Sequence, residues 1–255
     1  MNKLRQRFTD SGPALIVLVL ITTIWEVYGR ATPAYVFPTL GETWAGLQKL
    51  MTSGEFFQAA GASLQSMILG FLLAVAVGVF IGALMGWFHS VGEFTDVYVS
   101  IGLAIPMSAA VPVVVAGLGI GLASRTAVVF LFAVFIIIVN TYAGIRQTST
   151  HLLEMGRSFG ASRIQEFWKI IWPSALPAIA AGLRLGAGRS VVGMVVSELL
   201  LVSVGLGRLI SEFKADMEIG SLMALLTVML VGGALLVYGI EVLERCLFPW
   251  RKKVL

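Results

Sequence analysis

Apolar residues in this chain run in long uninterrupted blocks, without the strict alternation of a half-buried strand. Residues 56–92, 97–124, 126–145 and 219–240 contain no Asp, Glu, Lys or Arg. A fifth block, 170–197, is broken only by Arg184 and Arg189, and a shorter one covers 11–25. About 20 apolar residues suffice for a helix to cross the hydrocarbon core. In lipid such a segment must satisfy its own backbone hydrogen bonds, which a helix does. The pattern therefore predicts an all-α membrane protein with six transmembrane helices at 14–28, 64–88, 97–118, 125–145, 176–202 and 219–243. Trp25, Tyr28, Trp87, Phe88 and Tyr98 fall near the proposed ends, where amphipathic rings favour the membrane interface.

Composition agrees: 58% of the residues are hydrophobic and 13% charged, against roughly 25% charged in soluble domains. Charge placement gives an orientation. With a cytosolic N-terminus, the inside holds Lys3, Arg5, Arg7, Arg146, Arg157, Arg163, Lys169, Arg245, Arg251, Lys252 and Lys253. The outside holds Arg30, Lys49, Arg125, Arg208 and Lys214. Eleven basic residues inside against five outside place both termini in the cytosol by the positive-inside rule. The same distribution accounts for the formal net charge of +4 without any nucleic-acid partner. Lys3, Arg5 and Arg7 before an apolar run look like a secretory signal, but Trp25-Glu26-Val27-Tyr28 is a poor cleavage site, so a retained first span is expected. The one cysteine, Cys246, excludes an internal disulfide and a multi-cysteine metal site; an inert thiol is expected.

Between the blocks the pattern changes. Residues 40–51 carry apolar side chains at helical spacing with Glu42, Gln48 and Lys49 elsewhere, which predicts a short helix on the outer membrane surface. Gly78, Gly82 and Gly86 form a side-chain-free stripe, suited either to internal packing or to a dimer seam. Pro106 and Pro112 predict kinked or broken backbone in the third span, either lining a pathway or simply shaping the packing. Residues 205–213 read as a glycine-hinged amphipathic turn outside the membrane. No internal repeat or linker stands out, so 1–255 is expected to be one membrane domain.

The segment 146–173 is the longest charged interruption. Leu152, Met155 and Phe159 fall at i, i+3 and i+7, the stripe of a short helix. Gly160 can end that helix with positive φ, Ser162 and Gln165 fit a capping box that starts another, and Pro173 is expected to halt it. Two short helices hinged at Gly160 follow. They could rest on the bilayer, or present an apolar knob and the Glu154 carboxylate to a partner.

The segment reads Glu154-Met155-Gly156, three residues, Gly160, nine residues, Ile170, one residue, Trp172-Pro173. This resembles the coupling loop of the transmembrane subunits of type I ABC importers, usually Glu-Ala-Ala, three residues, Gly, nine residues, Ile, one residue, Leu-Pro. The resemblance covers nearly the whole chain and points to the sulfonate, nitrate and taurine branch. It extends to Val36-Phe37-Pro38-Thr39, Ile105-Pro106 before Gly117-Leu118-Gly119-Ile120-Gly121, Leu176-Pro177, 181–184, Gly188-Arg189, Ser197-Glu198 and Gly205-Leu206-Gly207. Met155 and Gly156 replace the usual alanines, Trp172 replaces leucine, and 111–118 lacks the usual aromatics. The resemblance implies a permease subunit in the bacterial cytoplasmic (inner) membrane, moving a small solute, with a cytosolic coupling helix between helices 4 and 5. Leu152, Glu154, Met155, Gly156, Phe159, Gly160, Ala161 and Ser162 would form the ATPase contact. It further implies two cytosolic ABC ATPases carrying ATP and Mg, a second copy of the permease, and a periplasmic or lipid-anchored solute-binding protein.

Counted from Pro177 at about 1.5 Å per residue, Arg184 can snorkel to the cytosol while Arg189 reaches the midplane. A midplane arginine faces protein or water. It either makes an electropositive passage for anions or bonds helix-end carbonyls, Glu198 or Glu241. Arg189, Asn140, Pro106 and Ser108 are thus the candidates for the translocation path. His89 and His151 belong to no metal pattern, and no lysine follows a glycine, so a phosphate-binding loop is missing. The chain is expected to bind no cofactor itself and to be no enzyme. An ion-coupled secondary transporter is the alternative; it would need intramembrane carboxylates, for which only Glu198 and Glu241 qualify.

Overall fold

In the computed structural model of the chain, the structure describes residues 2–201 and 205–247, with side chains described at 16–201, 205–240 and 242. Among the described residues all regular structure is helical. Four helical segments, Gly54–Trp87, Leu122–Arg146, Arg163–Leu200 and Ile219–Ile240, are long and apolar enough to cross a membrane; a bent pair, His89–Ala104 and Met107–Leu118, brings the number to five if it counts as one span. The first predicted span lies in helix α1 (Asn2–Ala31), partly outside the described side chains. Residue 202, the end of the predicted fifth span, and the side chains of Glu241 and Cys246 also lie outside what is described.

The chain divides into two compact units. One comprises Met1–Ala59 and Arg208–Leu230. In it, the turn after α1 folds helix α2 (Leu40–Thr52) back: Trp25 donates to the Pro38 carbonyl at 3.1 Å, and the Leu40 N–H donates to Glu26 at 3.0 Å. Thr39 and Glu42 cap α2 reciprocally, satisfying donors that a helix start leaves open. Lys49 donates to Glu218 at 2.6 Å, and the Lys49 ammonium together with Ser221 holds the Glu218 carboxyl below the usual carboxylate range.

The other unit, Ala60–Gly207 and Val231–Leu255, is organised around helices α3 (Gly54–Trp87), α6 (Leu122–Arg146) and α9 (Trp172–Leu200). The glycine stripe of α3 is internal packing: side chains at Gly78, Gly82 and Gly86 would collide with Ile137, Thr141 and Ile145 of α6. Ile137, Ala133, Val134 and Ile138 of α6 form the centre of the core with Ala74 and Met85 of α3. With lipid as apolar as the interior, such close approach of small residues holds helices together by van der Waals contact.

Three expectations are corrected. The third span is broken, as its prolines predict, but the break falls at the first of them, Pro106, while Pro112 sits inside a helix, and the bounds 97–118 do not describe one helix. Helix α4 (His89–Ala104) and helix α5 (Met107–Leu118) are bent by 100° at Ile105-Pro106. Pro106 lacks an N–H, and Ile105 before it is forced to extended backbone, ψ 128°. Secondly, Pro173 halts nothing. A short helix α8 (Arg163–Glu166) continues through a π-helical turn, Phe167–Ile171, into α9, giving one segment of 38 residues. The wide turn shifts the backbone bonding, with the Trp172 N–H donating to the Phe167 carbonyl, so a proline at the next position, in the first turn of α9, breaks no regular bond. Thirdly, Arg125, counted among the charges of the outer side, is buried: it is 4% exposed within α6.

Candidate functional site

The corner between α6 and α9 is built from local signals. Helix α7 (Thr150–Ser158) ends where Gly160 takes φ +76°. The Ala161 N–H donates to the Gly156 carbonyl at 3.0 Å and the Gly160 N–H to the Arg157 carbonyl at 2.9 Å, the paired bonds of a Schellman ending. One residue later, the Ser162 hydroxyl accepts from the Gln165 N–H and the Gln165 side chain accepts from the Ser162 N–H, starting α8. Arg157 donates to the buried Glu166 at 2.9 Å, and that carboxylate raises the Arg157 pKa further above its ordinary value. Two helices joined by only the four residues 159–162 and pinned by an ion pair make a stiff corner.

The corner is anchored to α3. Phe167 meets Trp87 edge-on at 4.0 Å, and Trp172 lies against Phe167 and Trp168 at 5.9 Å each. The tryptophan in place of leucine is thus part of an aromatic cluster. Gly156 lets α7 approach the π-helical turn, because a side chain there would meet Ile170 at 2.5 Å. Leu152, Met155, Gly156 and Phe159 line a groove of about 460 Å³ with Ile170 and Pro173. Phe159 is 85% exposed and Met155 57%, so the apolar stripe is uncovered. Glu154 is exposed beside it, 4.0 Å from His151.

The break between α4 and α5 opens a second recess, of about 430 Å³. Arg189, Pro106 and Ser108 all line it, with Phe132, Phe135 and Val196 among its apolar walls. Arg189 is exposed to it and pairs with no carboxylate among the described residues. Asn140 is not in this recess; its amide donates to the Ile136 carbonyl of its own helix at 2.7 Å.

Glu198 does not serve Arg189. It is fully buried and accepts from Arg125 at 3.1 Å, from the Ser63 hydroxyl at 2.6 Å and from the Gly207 N–H at 2.7 Å. Arg125 and Ser63 were not singled out as partners from the sequence. The available signal was two opposite charges near the same ends of neighbouring apolar blocks. Among the described residues no cluster of three or more His, Cys, Asp or Glu could hold a metal ion.

Residues 74–249 match the family model for the binding-protein-dependent transport system inner membrane component. The chain is 31% identical over 239 residues to the putative aliphatic sulfonates transport permease protein SsuC of Bacillus subtilis, covering 93% of this chain and 87% of that one. It is 30% identical to the formylaminopyrimidine transport permease protein ThiX of Halalkalibacterium halodurans, covering 98% and 100%. To the taurine transport system permease protein TauC of Escherichia coli it is 29% identical, covering 92% and 88%. Among solved structures it matches the MetNI methionine ABC transporter in an inward-facing conformation, with TM-score 0.59 and 17% identity over 73% of this chain and 93% of that one. The last likeness speaks to fold, and the others to descent. The chain therefore belongs to the family of inner-membrane permeases of binding-protein-dependent ABC importers, a transport subunit and not an enzyme.

Proposed function

We propose that two copies of this chain, each with six spans and both termini in the cytosol, form the membrane pathway of an ATP-driven importer for a small organic anion. Two ABC ATPases carrying ATP and Mg dock on the α7 corners, and a solute-binding protein delivers cargo from outside. The observation that carries this reading is the α7–α8 corner. A rigid element that leaves Leu152, Met155 and Phe159 uncovered beside Glu154 has the form of a lever end awaiting an apolar socket, since exposed apolar clusters mark contact sites. ATP-driven closure of the ATPase pair would push this corner, and the aromatic anchor at Trp87 would pass the motion to α3 and α9.

The anionic cargo is supported by Arg189, whose guanidinium faces the recess at the α4–α5 break and pairs with no carboxylate among the described residues. A fixed cation in a low-dielectric passage favours a sulfonate or a similar anion over a neutral solute of equal size. The sulfonate and taurine permeases among the relatives point the same way. An ion-coupled mechanism would need a carboxylate free to bind the ion, and Glu198 has its oxygens occupied by three donors. The test is reconstitution in vesicles with the ATPase and binding protein encoded alongside. ATP-dependent uptake of labelled taurine or ethanesulfonate is the expected result, and proton- or sodium-driven uptake by the chain alone would refute it.

A further inference from the structure

The buried carboxylate of Glu198 does more than neutralise Arg125. Its Oε2 accepts from the Gly207 N–H at 2.7 Å, while its Oε1 accepts from the Ser63 hydroxyl, whose oxygen in turn accepts from the Leu206 N–H at 3.1 Å. Leu206 and Gly207 are the first two residues of helix α10 (Leu206–Ala215), where backbone N–H groups have no intrahelical acceptor and favour an anion. One carboxylate on α9 therefore caps α10 and, through Ser63 and Arg125, ties the cap to α3 and α6.

The chain is shaped to allow this. Gly205 has φ +76°, and a side chain on it would lie 2.5 Å from the Ser63 oxygen and 2.9 Å from Glu198. A side chain on Gly207 would collide with the Glu198 carbonyl. Glycine at both positions lets the backbone settle directly on the carboxylate, which gives Ser197-Glu198 and Gly205-Leu206-Gly207 one shared physical reason. Along their length α3, α6 and α9 are already locked by small-residue contacts, so these three helices and the capped segment make one body.

We propose that Glu198 is a positioning residue of the transport cycle: it clasps residues 205–207 and the start of α10 to the α3–α6–α9 block, so that this segment travels with the block when the pathway opens outward. The proposal rests on the importer reading. A clasp of buried charge suits this task, because its bonds, sheltered from water, are costly to leave unmade.

The test uses the full chain with its ATPases in nanodiscs and a cysteine at Ser108 in a Cys246→Ser background. Labelling of that cysteine by an impermeant maleimide from the outer face is compared with and without ATP and vanadate. Amide exchange at Leu206 and Gly207 is followed in parallel. The parent protein is expected to show about a tenfold rise in labelling with vanadate and slow exchange at both amides. Glu198→Gln, which leaves Arg125 without its counter-charge and weakens the cap, is expected to raise labelling less than about twofold and to exchange about tenfold faster at Gly207, with α6 unchanged.

The double variant Arg125→Met/Glu198→Met separates positioning from charge compensation. Removing the buried pair together leaves no uncompensated charge, so its melting temperature should rise above that of Glu198→Gln, short of the parent value because the Gly207 N–H and the Ser63 hydroxyl lose their acceptor, while the vanadate response stays lost. Recovery of both would overturn the proposal, as would a parent-like response in Glu198→Gln. If the parent protein itself ignores vanadate, the importer reading fails, and the exchange rates at Gly207 still decide whether the clasp exists.

Discussion

Phe159 offers the sharpest measure of the lever. It is the most exposed of the large apolar residues among those described, with 85% of its surface uncovered, at the end of a helix whose corner is stiff. A phenylalanine buries about 150–250 Å², so about 130–210 Å² remains for a partner to cover. At about 25 cal/mol per Å² this is about 3–5 kcal/mol if the ring is wholly enclosed. Alanine keeps a methyl group, and association recovers only part of an area-based figure. Phe159→Ala should therefore cost about 2–3 kcal/mol of ATPase binding, about 30- to 150-fold in Kd. The assay is titration of the permease in nanodiscs with its labelled ATPase subunit. Thermal unfolding provides the control: Phe159→Ala should leave Tm within about 1 °C, since surface substitutions change stability little. Phe167→Ala, which removes the ring packed 4.0 Å from Trp87, should lower Tm clearly. A Kd change below about threefold for Phe159→Ala would refute its role as the docking knob, because that is under 1 kcal/mol.

Arg189→Gln should reduce uptake of an anionic solute about tenfold or more while leaving Tm and ATPase binding unchanged, because the guanidinium pairs with no described carboxylate whose loss would destabilise the fold. A large drop in Tm would instead assign it a structural role. Cysteines at Ser158 and at Asp216, both exposed, should be labelled only from the cytosolic and only from the outer face respectively, in a Cys246→Ser background; reversed access would overturn the orientation. The Lys49–Glu218 pair should contribute a small pH-dependent stability. The folded Glu218 pKa is lowered by Lys49, so the contribution is complete above the unfolded carboxylate pKa of about 4.3 and is lost as pH falls through the lowered folded value. With both side chains partly in solvent, it is worth at most about 1 kcal/mol. The Tm difference between the parent and Glu218→Gln should vanish at low pH and shrink in high salt.

The charged corner was legible because its instructions are local. Gly160, Ser162 with Gln165, and the Leu152, Met155, Phe159 stripe each act within a few residues, through backbone conformation or capping. The capping box at Thr39 and Glu42 works in the same way. The end of the corner is not legible in this way, because the effect of Pro173 depends on more than its sequence neighbours. The π-helical turn that accommodates it is held by Phe167 against Trp87, a residue of a different helix, and no local rule contains that contact.

The same division runs through the chain. Sequence by itself determined that this is a helical membrane protein, where most of its apolar segments lie, and that proline disturbs the third of them, since hydrophobicity and missing N–H groups are properties of single residues. Tertiary structure decided what depends on two segments meeting. It set the 100° bend at Pro106, turned the α3 glycines toward α6, and gave Arg125 to Glu198 while leaving Arg189 to face the recess. A buried charge is settled by whichever opposite charge the packing brings within reach, and the distance of 73 positions between Arg125 and Glu198 is closed only when α6 and α9 pack side by side.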